Sequence, residues 1–439
     1  MSSDKKPNSR LGAVREWVSA NDLRMIIIAI VLVYVMVFVL SWLGGTRGVN
    51  GMLSRFRSVT ILVLIYVMLT LALNLQWGYG GLLNLGVAGF MMIGVYTMAL
   101  LTMPADASTA PGLGLPLPIG IVGGVLAATL LGALAALPAI RLKADYLAIV
   151  TLAFGEMIRL SIRSRGAAEF SVAGRTLGTG GTDSFSLPPN PVKWLLYEDP
   201  DAPSFIAAND PTIVGRPVFW IGDRFDIEPS IMEAVVYALM LAVLAAVFYL
   251  LLVRVGNSPF GRVLKAIRED EMVASSLGKD TRQFKIKAFA LGCGLMGLAA
   301  IFQFLEGGGS VSATDFEPEL TFFVFVALIL GGSGSNTGSV IGAIIFAGVL
   351  LEAPNFIQRI ADEQLDLPST PDTIIEAFGG SDLFLAYLFS DTSISALQFI
   401  VLGGLLIYLM QRRPDGLLGD RIETASSVDL SKRNTEENR

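Results

Sequence analysis

The stretch GNSPFGRVLKAIREDEMVASSLGKDTRQFKIKAF occupies residues 256–289 and separates two strongly hydrophobic segments. It is polar, highly charged and rich in helix-forming residues. Its basic residues are Arg262, Lys265, Arg268, Lys279, Arg282, Lys285 and Lys287. Because loops rich in Lys and Arg are retained in the cytoplasm, this stretch is predicted to be cytoplasmic. A short amphipathic helix held between two spans can receive force from a soluble partner. This arrangement is expected for the membrane subunit of a transporter that a separate motor protein drives.

The composition indicates an integral membrane protein. Of the 439 residues, 53% are hydrophobic and 16% are charged, whereas soluble domains carry roughly 25% charged residues. The chain has no His and a single Cys, Cys293, which excludes a His-ligated metal, a His base and an internal disulfide. Cys293 lies in an apolar stretch and is predicted to serve packing. No cofactor is expected.

The hydrophobic segments predict an all-α polytopic membrane protein with about ten transmembrane helices. A span needs roughly 20 apolar residues to cross about 30 Å of hydrocarbon. Seven segments meet this requirement clearly: 25–43, 58–77, 82–103, 117–138, 231–253, 287–305 and 394–411. Segment 145–163 is helical but less apolar, and the pair 319–333 and 338–352 is short and interrupted by GGSGSNTGS.

Ten spans give a topology with both termini in the cytoplasm. The predicted divisions are a cytoplasmic tail 1–24, spans 1–5 in 25–163, an extracytoplasmic loop 164–230, spans 6–10 in 231–420, and a cytoplasmic tail 421–439. An acidic loop, 353–393, interrupts the second set on the extracytoplasmic side. Lys and Arg near the span ends support this orientation, although Arg47, Arg55 and Arg57 fall on the opposite side. Both extracytoplasmic loops are either solvated connections or a landing surface for an external partner.

A glycine-dense stretch, GYGGLLNLGVAGFMMIG, covers residues 78–94. Asn74, Gln76 and Asn84 lie beside it or within it. Glycine permits close helix approach and also permits breaks in a membrane helix, provided that the freed backbone groups line protein or a cavity. The sequence therefore leaves two interpretations open. The stretch serves helix packing, or it is a broken helix that borders a translocation path.

A second glycine-rich break, GGSGSNTGS at 331–339, contains Asn336 and is also followed by an apolar span. The similarity to the first break suggests a weak internal repeat. A phosphate-binding loop is excluded, because the required Lys is missing. The sequence GCGLMG at 292–297 matches the dinucleotide-binding pattern in letters, but it lies in an apolar helical run. There it predicts helix contacts between small residues.

Segment 145–163 contains a pair of charges. Glu156 and Arg159 are spaced to share one face of a helix. Charges within a span are expensive and usually mark a cavity or a partner, whereas charges near the boundary extend to water. The pair is therefore a candidate for the translocation path, a structural pin, or a feature of the wet interface.

Several of these stretches together resemble the LivM-type permease family of branched-chain amino acid ABC importers. They are LNLQWGYGGLLNLGVAGF (73–90), DYLAIVTLAFGEMIR (145–159), GRVLKAIREDEMVASSLG (261–278), LGGSGSNTGSVIGA (330–343) and RRPDGLLG (412–419). The resemblance covers residues 60–420 and implies the permease subunit of a type II ABC importer in the inner (cytoplasmic) membrane. Its implied partners are two ABC ATPase subunits, a second permease subunit (LivH-like), an extracytoplasmic substrate-binding protein and membrane lipid, with no nucleic acid. ATP hydrolysis would belong to the ATPases, so the chain itself is not expected to be an enzyme.

The resemblance also implies that residues about 258–278 form the coupling helix that docks on an ATPase. The candidate coupling residues are Gly261, Arg268, Glu271, Ala274 and Gly278. The double Ala of the family signature is absent here. The apolar residues Val263, Leu264, Ile267, Val273 and Leu277 are expected to pack on the transporter or in a groove of the ATPase. Pro259 suits the first turn of this helix and Gly278 suits its end.

The candidate path residues are Asn74, Gln76, Asn84, Glu156, Arg159 and Asn336. We expect the stretches 74–90 and 331–339 to face the second permease subunit, with packing inside the monomer as the competing interpretation. An ion-coupled secondary transporter is an alternative function, with Glu156 as its main carboxylate and with Glu306 and Glu319 near span ends. Urea or short-chain amides are alternative cargo for the same importer class.

Overall fold

The computed structural model of the chain is a bundle of helices joined by connections of very different lengths. The described residues are 22–139, 144–172, 174–200, 204, 210–306, 309–365, 368, 370–371, 373–378, 380–413 and 416–418. The predicted tails 1–24 and 421–439 lie outside these ranges, apart from residues 22–24.

The first half of the chain supplies five long helices. They are α1 (Asp22–Leu43), α2 (Val49–Leu73), α3 (Val87–Thr102), α4 (Leu117–Ala139) and α5 (Ala144–Arg163). Helix α2 continues into one π-helical turn, Asn74–Tyr79. Residues 81–86 are irregular and lead into α3. This part of the chain therefore contains the predicted helix break.

A small folded region follows α5. It contains α6 (Arg165–Ala168), the hairpin β1 (Phe170–Val172) and β2 (Arg175–Leu177), β3 (Phe185–Ser186), α7 (Pro191–Leu196) and α8 (Gly215–Arg224). Strand β3 pairs antiparallel with β4 (Ser310–Val311), which lies far along the chain. The predicted solvated loop 164–230 is thus partly ordered, because this pairing and the helices bury part of it.

The second half supplies the remaining helices. They are α9 (Pro229–Asn257), α10 (Pro259–Glu269), α11 (Glu271–Ser276), α12 (Thr281–Phe304), α13 (Pro318–Gly331) and α14 (Asn336–Ile345). A 3-10 turn, Ala313–Phe316, precedes α13, and a π turn, Phe346–Leu351, extends α14 into α15 (Ala353–Gln364). The chain then forms α16 (Ile374–Ala377), α17 (Ser381–Leu388) and α18 (Asp391–Arg412). The acidic loop predicted at 353–393 is therefore largely helical over its described residues.

The predicted all-α polytopic fold is confirmed, and each of the ten predicted spans coincides with a helix. Among the described residues, seven helices are long and apolar enough to cross a membrane. Helices α3 and α13 are apolar but shorter than a full span. Helix α5 has the length but is more polar, since it carries Asp145, Glu156 and Arg159. The short helices are tolerated because neighbouring helices surround them, and most of α3 is buried.

Small residues hold the centre of the bundle together. Helices α3, α4 and α12 form the most extensive packing in the protein. Gly94 of α3 lies against the backbone of Gly297 of α12, and Cys293 on the same helix is completely buried. This confirms the interpretation of 292–297 as a helix-contact motif and of Cys293 as a packing residue. Close backbone approach of this kind drives helix association in lipid.

The bundle has two distinguishable ends. At one end, which we call the coupling end, the last turn of α2 meets α10, and the junction of α13 with α14 lies beside them. At the opposite end, Asn50 in the first turn of α2 bonds to the backbone of Asp226 and Glu228, just before α9. The β3–β4 pair joins connections that also lie at this end.

Candidate functional site

The two glycine-rich breaks contact each other at the coupling end. Asn74 is completely buried in the π turn that closes α2. Its side-chain oxygen accepts from the Gly334 N–H at 2.7 Å, and its side-chain nitrogen donates to Asn336 at 3.1 Å. The buried Asn74 amide therefore connects the end of α2 to the junction of α13 and α14 by two hydrogen bonds. The structure thus brings together two of the candidate path residues, Asn74 and Asn336.

Gly78 makes this junction possible. A Cβ atom at Gly78 would lie 1.9 Å from the Asn74 side-chain oxygen and 2.6 Å from the Gly334 nitrogen. No larger residue fits between these groups without moving the backbone. The glycine at this position is therefore required by a close approach between two breaks that are distant in sequence.

Gln76 and Asn84 form a second buried pair behind this junction. Both side chains are completely buried. Asn84 donates to the Gln76 side-chain oxygen at 2.9 Å, and Gln76 donates to the Phe289 carbonyl at 2.8 Å. The Asn84 oxygen in turn accepts from the Gly86 N–H at 2.9 Å. These two amides are thus engaged with α12 and with the irregular stretch 81–86.

Two threonines from other helices bond to the first break and to the first turn of α3. The Thr151 hydroxyl of α5 accepts from the Leu85 N–H at 2.9 Å, and the Thr321 hydroxyl of α13 accepts from the Ala88 N–H at 3.1 Å. Both threonines are buried. Irregular backbone is stable at membrane depth only when protein or water satisfies its polar groups. Here side chains from two other helices do so, and nothing in the spacing of the sequence indicates these partners.

The charged stretch 256–289 reaches the first break through Arg268. The Arg268 guanidinium on α10 donates to the Gly78 carbonyl, and its side-chain carbons lie close to Gly81. On the same helix, Leu264 and Ile267 are buried, and the Phe260 and Phe284 rings stack 5.4 Å apart between α10 and α12. Helix α10 is therefore fixed to the bundle on its apolar side.

The predicted single helix 258–278 is two helices with a break at Asp270. The backbone of Asp270 is extended, and its carboxylate accepts from the N–H groups of Met272 and Val273. Asp270 therefore caps a new helix, α11, because short acidic side chains satisfy the free N–H groups of a first turn. As predicted, Pro259 lies in the first turn of α10 and Gly278 follows the end of α11, with a φ of +75°.

Three of the coupling candidates are buried or paired within the chain, whereas apolar residues beside them on α11 are exposed. Gly261 and Ala274 are buried within the chain, and Glu271 forms a 2.5 Å ion pair with Lys285 at the start of α12. Met272, Val273 and Leu277 are instead 79%, 56% and 74% exposed. The exposed surface of α11 is therefore apolar. The residues of the family motif mainly hold α11 in position against the rest of the chain.

A polar cavity of about 750 Å³ opens at the coupling end beside this junction. Its lining combines backbone of both breaks with charged and polar side chains from α9, α10 and α14. The lining residues are Asp22, Gly78, Tyr79, Tyr249, Val253, Asn257, Lys265, Arg268, Glu269, Ser333, Gly334, Ser335, Asn336 and Thr337. Of the six candidate path residues, Asn336 is the one that lines this cavity.

Glu156 and Arg159 lie apart from that junction. Arg159 binds the Glu156 carboxylate with two hydrogen bonds of 2.6 and 2.8 Å. A second carboxylate, Glu317, is 4.0 Å away and precedes the first turn of α13. The Arg159 side chain is 12% exposed and that of Glu156 is 31% exposed. The pair is therefore partly buried and lies toward the end of the bundle opposite the coupling end.

The small folded region contains a polar cluster that the sequence did not indicate. Glu233, in the first turns of α9, is buried and accepts from Asn190 at 3.1 Å and from Ser204 at 2.7 Å. Tyr197 also donates to it, at 3.4 Å. Burial raises the pKa of Tyr197, with the charge of Glu233 acting in the same direction, so the phenol keeps the proton that it donates. This cluster fixes the folded region to α9.

These features define a class of protein. A bundle of glycine-broken spans, with a basic amphipathic segment fixed across one end and a polar cavity beside it, has the construction of a membrane transport permease.

Comparison with known proteins identifies the family. A sequence profile described as the permease component of the branched-chain amino acid transport system matches residues 55–410. The chain belongs to this family. It is therefore a permease subunit and a multi-pass integral protein of the inner membrane, and its membership supports a transport role rather than an enzymatic one.

Individual relatives carry consistent names. The LivM permease protein of the high-affinity branched-chain amino acid transport system of Escherichia coli (strain K12) is 30% identical over 363 residues, 82% of this chain and 69% of the relative. The Salmonella typhimurium (strain LT2) protein of the same name is 31% identical over the same shares. A probable LivM permease of Methanocaldococcus jannaschii is 23% identical over 385 residues, 81% of this chain and 91% of the relative. No solved structure gives a significant match.

Proposed function

We propose that this chain is the transmembrane permease of an ATP-driven importer for branched-chain amino acids. Its partners in this proposal are two ABC ATPase subunits, a second permease subunit and an extracytoplasmic substrate-binding protein. The names of the relatives support the cargo. The contact between Arg268 and Gly78 is the observation that carries the mechanism, because it joins the basic segment directly to the broken helix.

In this proposal the coupling end faces the cytoplasm, and the folded region between α5 and α9 lies outside. The basic residues of 256–289 support this orientation. The ends of α2, α9 and α13 and the starts of α12 and α14 then lie together on the cytoplasmic side. This arrangement matches the topology of ten spans with loops 164–230 and 353–393 on the extracytoplasmic side.

The exposed apolar residues of α11 would enter a groove on the ATPase. Met272, Val273 and Leu277 are suited to this role, because they are exposed on a helix whose other side is fixed by Ala274 and by the Glu271–Lys285 pair. Movement of α10 and α11 would reach Gly78 through Arg268, and then Gly334 through Asn74. The segment thus transmits ATPase motion to both breaks.

The polar cavity would form the cytoplasmic end of the translocation path. A zwitterionic amino acid needs polar wall groups where it leaves the membrane, and the cavity offers amide, hydroxyl and charged groups of both signs. Asn336 would contribute to the wall, whereas Asn74, Gln76 and Asn84 would fix the backbone behind it. Glu156 and Arg159 would lie toward the external mouth. The second permease subunit would complete the path.

The docking role is tested by placing charge on the exposed surface of α11. A Val273→Glu, Leu277→Glu double variant should lose ATPase co-purification and ATP-driven uptake. Both side chains are more than half exposed, so the carboxylates remain solvated and the permease should still fold. Arg175→Glu, on the exposed hairpin at the opposite end, adds a charge far from α11 and is the control that should keep ATPase co-purification. Unchanged co-purification and uptake in the double variant would refute the docking surface.

The cargo is tested separately. Proteoliposomes that contain the whole complex and its binding protein should accumulate leucine when ATP is supplied inside the cytoplasmic compartment. Accumulation of urea without leucine would change the cargo and leave the importer class intact. Uptake that follows an imposed proton or sodium gradient without ATP would replace the importer with an ion-coupled transporter.

A further inference from the structure

Helix α8, in the folded region after α5, presents large apolar side chains to the exterior. Phe219 and Gly222 face inward and are buried. Trp220, Ile221 and Phe225 point outward and are 69%, 44% and 65% exposed. A water-facing surface helix normally shows polar residues on that side. The outward side chains of α8 are therefore expected to lie in an environment that is more apolar than water.

The position of α8 along the bundle is fixed by two contacts. Gly222 lies against the side chain of Met232, in the first turn of the spanning helix α9. The Asn50 side chain, in the first turn of α2, donates to the Asp226 carbonyl at 3.0 Å and accepts from the Glu228 N–H at 3.3 Å. Because α2 and α9 both span the membrane, α8 lies at the level where these two spans begin.

The face of α9 that α8 covers continues as an exposed apolar stripe. Met232 shares one side of α9 with Leu239 and Val243, since their spacing matches whole helical turns. Leu239 and Val243 are 63% and 66% exposed, as expected for side chains in contact with lipid tails. Helix α8 therefore closes the end of a lipid-facing stripe, and its own outward side chains lie next to that stripe.

The chemistry of this surface matches the boundary between headgroups and acyl chains. Trp is enriched at membrane interfaces, because its ring is apolar and its N–H is polar. Arg216 and Arg224 lie one turn before and after Trp220, where their long side chains can reach the headgroup layer. Asp223, Asp226 and Glu228 offset these positive charges. Apolar burial rather than attraction to anionic lipid would then hold the helix.

We propose that α8 is an interfacial anchor that lies in the membrane surface at the end opposite the coupling end, which is the outer leaflet in the proposed topology. Trp220, Ile221 and Phe225 contact phospholipid at the boundary of the acyl chains. The anchor fixes the folded region, through the stacked Tyr197 and Phe219 rings and the Glu233 cluster, at a constant height above the bundle. The surface on which the binding protein docks would then keep a constant orientation relative to the membrane.

The proposal is tested by spin labels on the complex in proteoliposomes of phosphatidylcholine. Cys293 is completely buried, so a thiol reagent will react at an introduced cysteine, and the unsubstituted protein is the blank. The label at Trp220→Cys reports on the outward face of α8. The label at Phe225→Cys reports on the same face in a protein that still contains Trp220. Val243→Cys is the lipid reference, and Arg175→Cys on the exposed hairpin is the aqueous reference.

Labels at 220 and 225 should collide readily with oxygen and poorly with a water-soluble nickel chelate, as the label at 243 does, while the label at 175 shows the reverse. Adding anionic lipid should leave this pattern unchanged. Free access of the chelate at 220 and 225, lost only when the binding protein is added, would make the surface a protein-docking site and overturn the anchor. Protection from both oxygen and the chelate would place the face against the second permease subunit and would overturn it equally.

Discussion

The glycine-rich breaks at 78–94 and 331–339 look alike in sequence but differ in what surrounds them. Beyond Gly78 and Tyr79, which reach the polar cavity, the first break is closed. Asn84 and Thr151 accept from the N–H groups of Gly86 and Leu85, and Thr321 accepts from the first turn of α3. The second borders a polar cavity, with Ser333, Gly334, Ser335 and Asn336 in the wall. Similar composition therefore serves rigid packing in one place and an open polar surface in the other. Asn74 and Gly78, at the end of α2, join the two.

The largest effect is expected at that joint. Asn74→Leu keeps the branching of the side chain but leaves the Gly334 N–H and the Asn336 amide oxygen without their partner. A polar group left unpaired costs up to about 1–3 kcal/mol when it is fully buried, and these two groups are partly buried. We expect a clear fall in the apparent melting temperature of the purified protein in detergent, together with loss of uptake. A variant with the melting temperature and uptake of the unsubstituted protein would show that the two breaks act independently.

The packing role of the first break is tested by two glycines of the same stretch. A Cβ at Gly86 would lie 2.5 Å from the Thr151 carbonyl oxygen, whereas a Cβ at Gly80 would have its nearest neighbour at 3.5 Å. Gly86→Ala should destabilise the protein by about 1–3 kcal/mol through overpacking, and the matched Gly80→Ala should behave normally. The readout is the fraction that remains assembled after heating. Equal behaviour of the two variants would remove the argument for close packing.

A smaller effect is expected where α13 closes the first break. Thr321→Val keeps the shape of the side chain but removes the acceptor for the Ala88 N–H. Because one buried N–H loses its acceptor, the expected destabilisation is about 1–3 kcal/mol, measured as a lower melting temperature. Thr321→Ser retains the hydroxyl and serves as the control for the altered methyl group. Loss of stability in Thr321→Ser but not in Thr321→Val would show that Thr321 stabilises the protein by packing of its methyl group instead of by its hydrogen bond.

The smallest effect on stability is expected in the second break. Asn336→Ala removes the hydrogen bond that Asn74 donates at 3.1 Å. Because this bond lies beside the cavity, water can replace the lost acceptor, so the expected loss is about 0.5–1.5 kcal/mol. If the cavity belongs to the translocation path, the initial uptake rate should fall further than the loss of stability explains. Parallel measurement of melting temperature and initial uptake rate separates the two. A decline in uptake that merely follows the loss of stability would make the second break structural as well.

The helices were predictable because their signals are local. The apolar segments gave the ten helices, since lipid requires long apolar runs with internally bonded backbone. Pro259 and Gly278 marked the limits of the charged segment for the same reason, because capping depends on neighbouring residues. The family resemblance rested on short motifs and is confirmed by the match over residues 55–410.

Other features were not predictable, because they depend on residues that are distant in sequence. The break at Asp270 is a local exception, because the Asp270 carboxylate bonds to the neighbouring Met272 and Val273 N–H groups, within a segment whose helix propensity is continuous. Ala274 was expected on the docking surface and is buried within the chain, whereas Met272 is exposed. The order in the region 164–228 depends on β4 and Glu233, which lie beyond it in sequence. None of these partners leaves a spacing signal.

The sequence by itself determined that this protein is a helical membrane permease, because hydrophobic length, the distribution of basic residues and short family motifs are properties of local sequence. Only the tertiary structure decided what each glycine-rich break does. A glycine permits close approach and irregular backbone equally, and the neighbours that arrive from other helices determine which of the two is used. Thr151 and Thr321 bond to the irregular stretch 81–86 and to the first turn of α3, whereas residues 333–336 line the cavity even though Asn74 accepts from the Gly334 N–H.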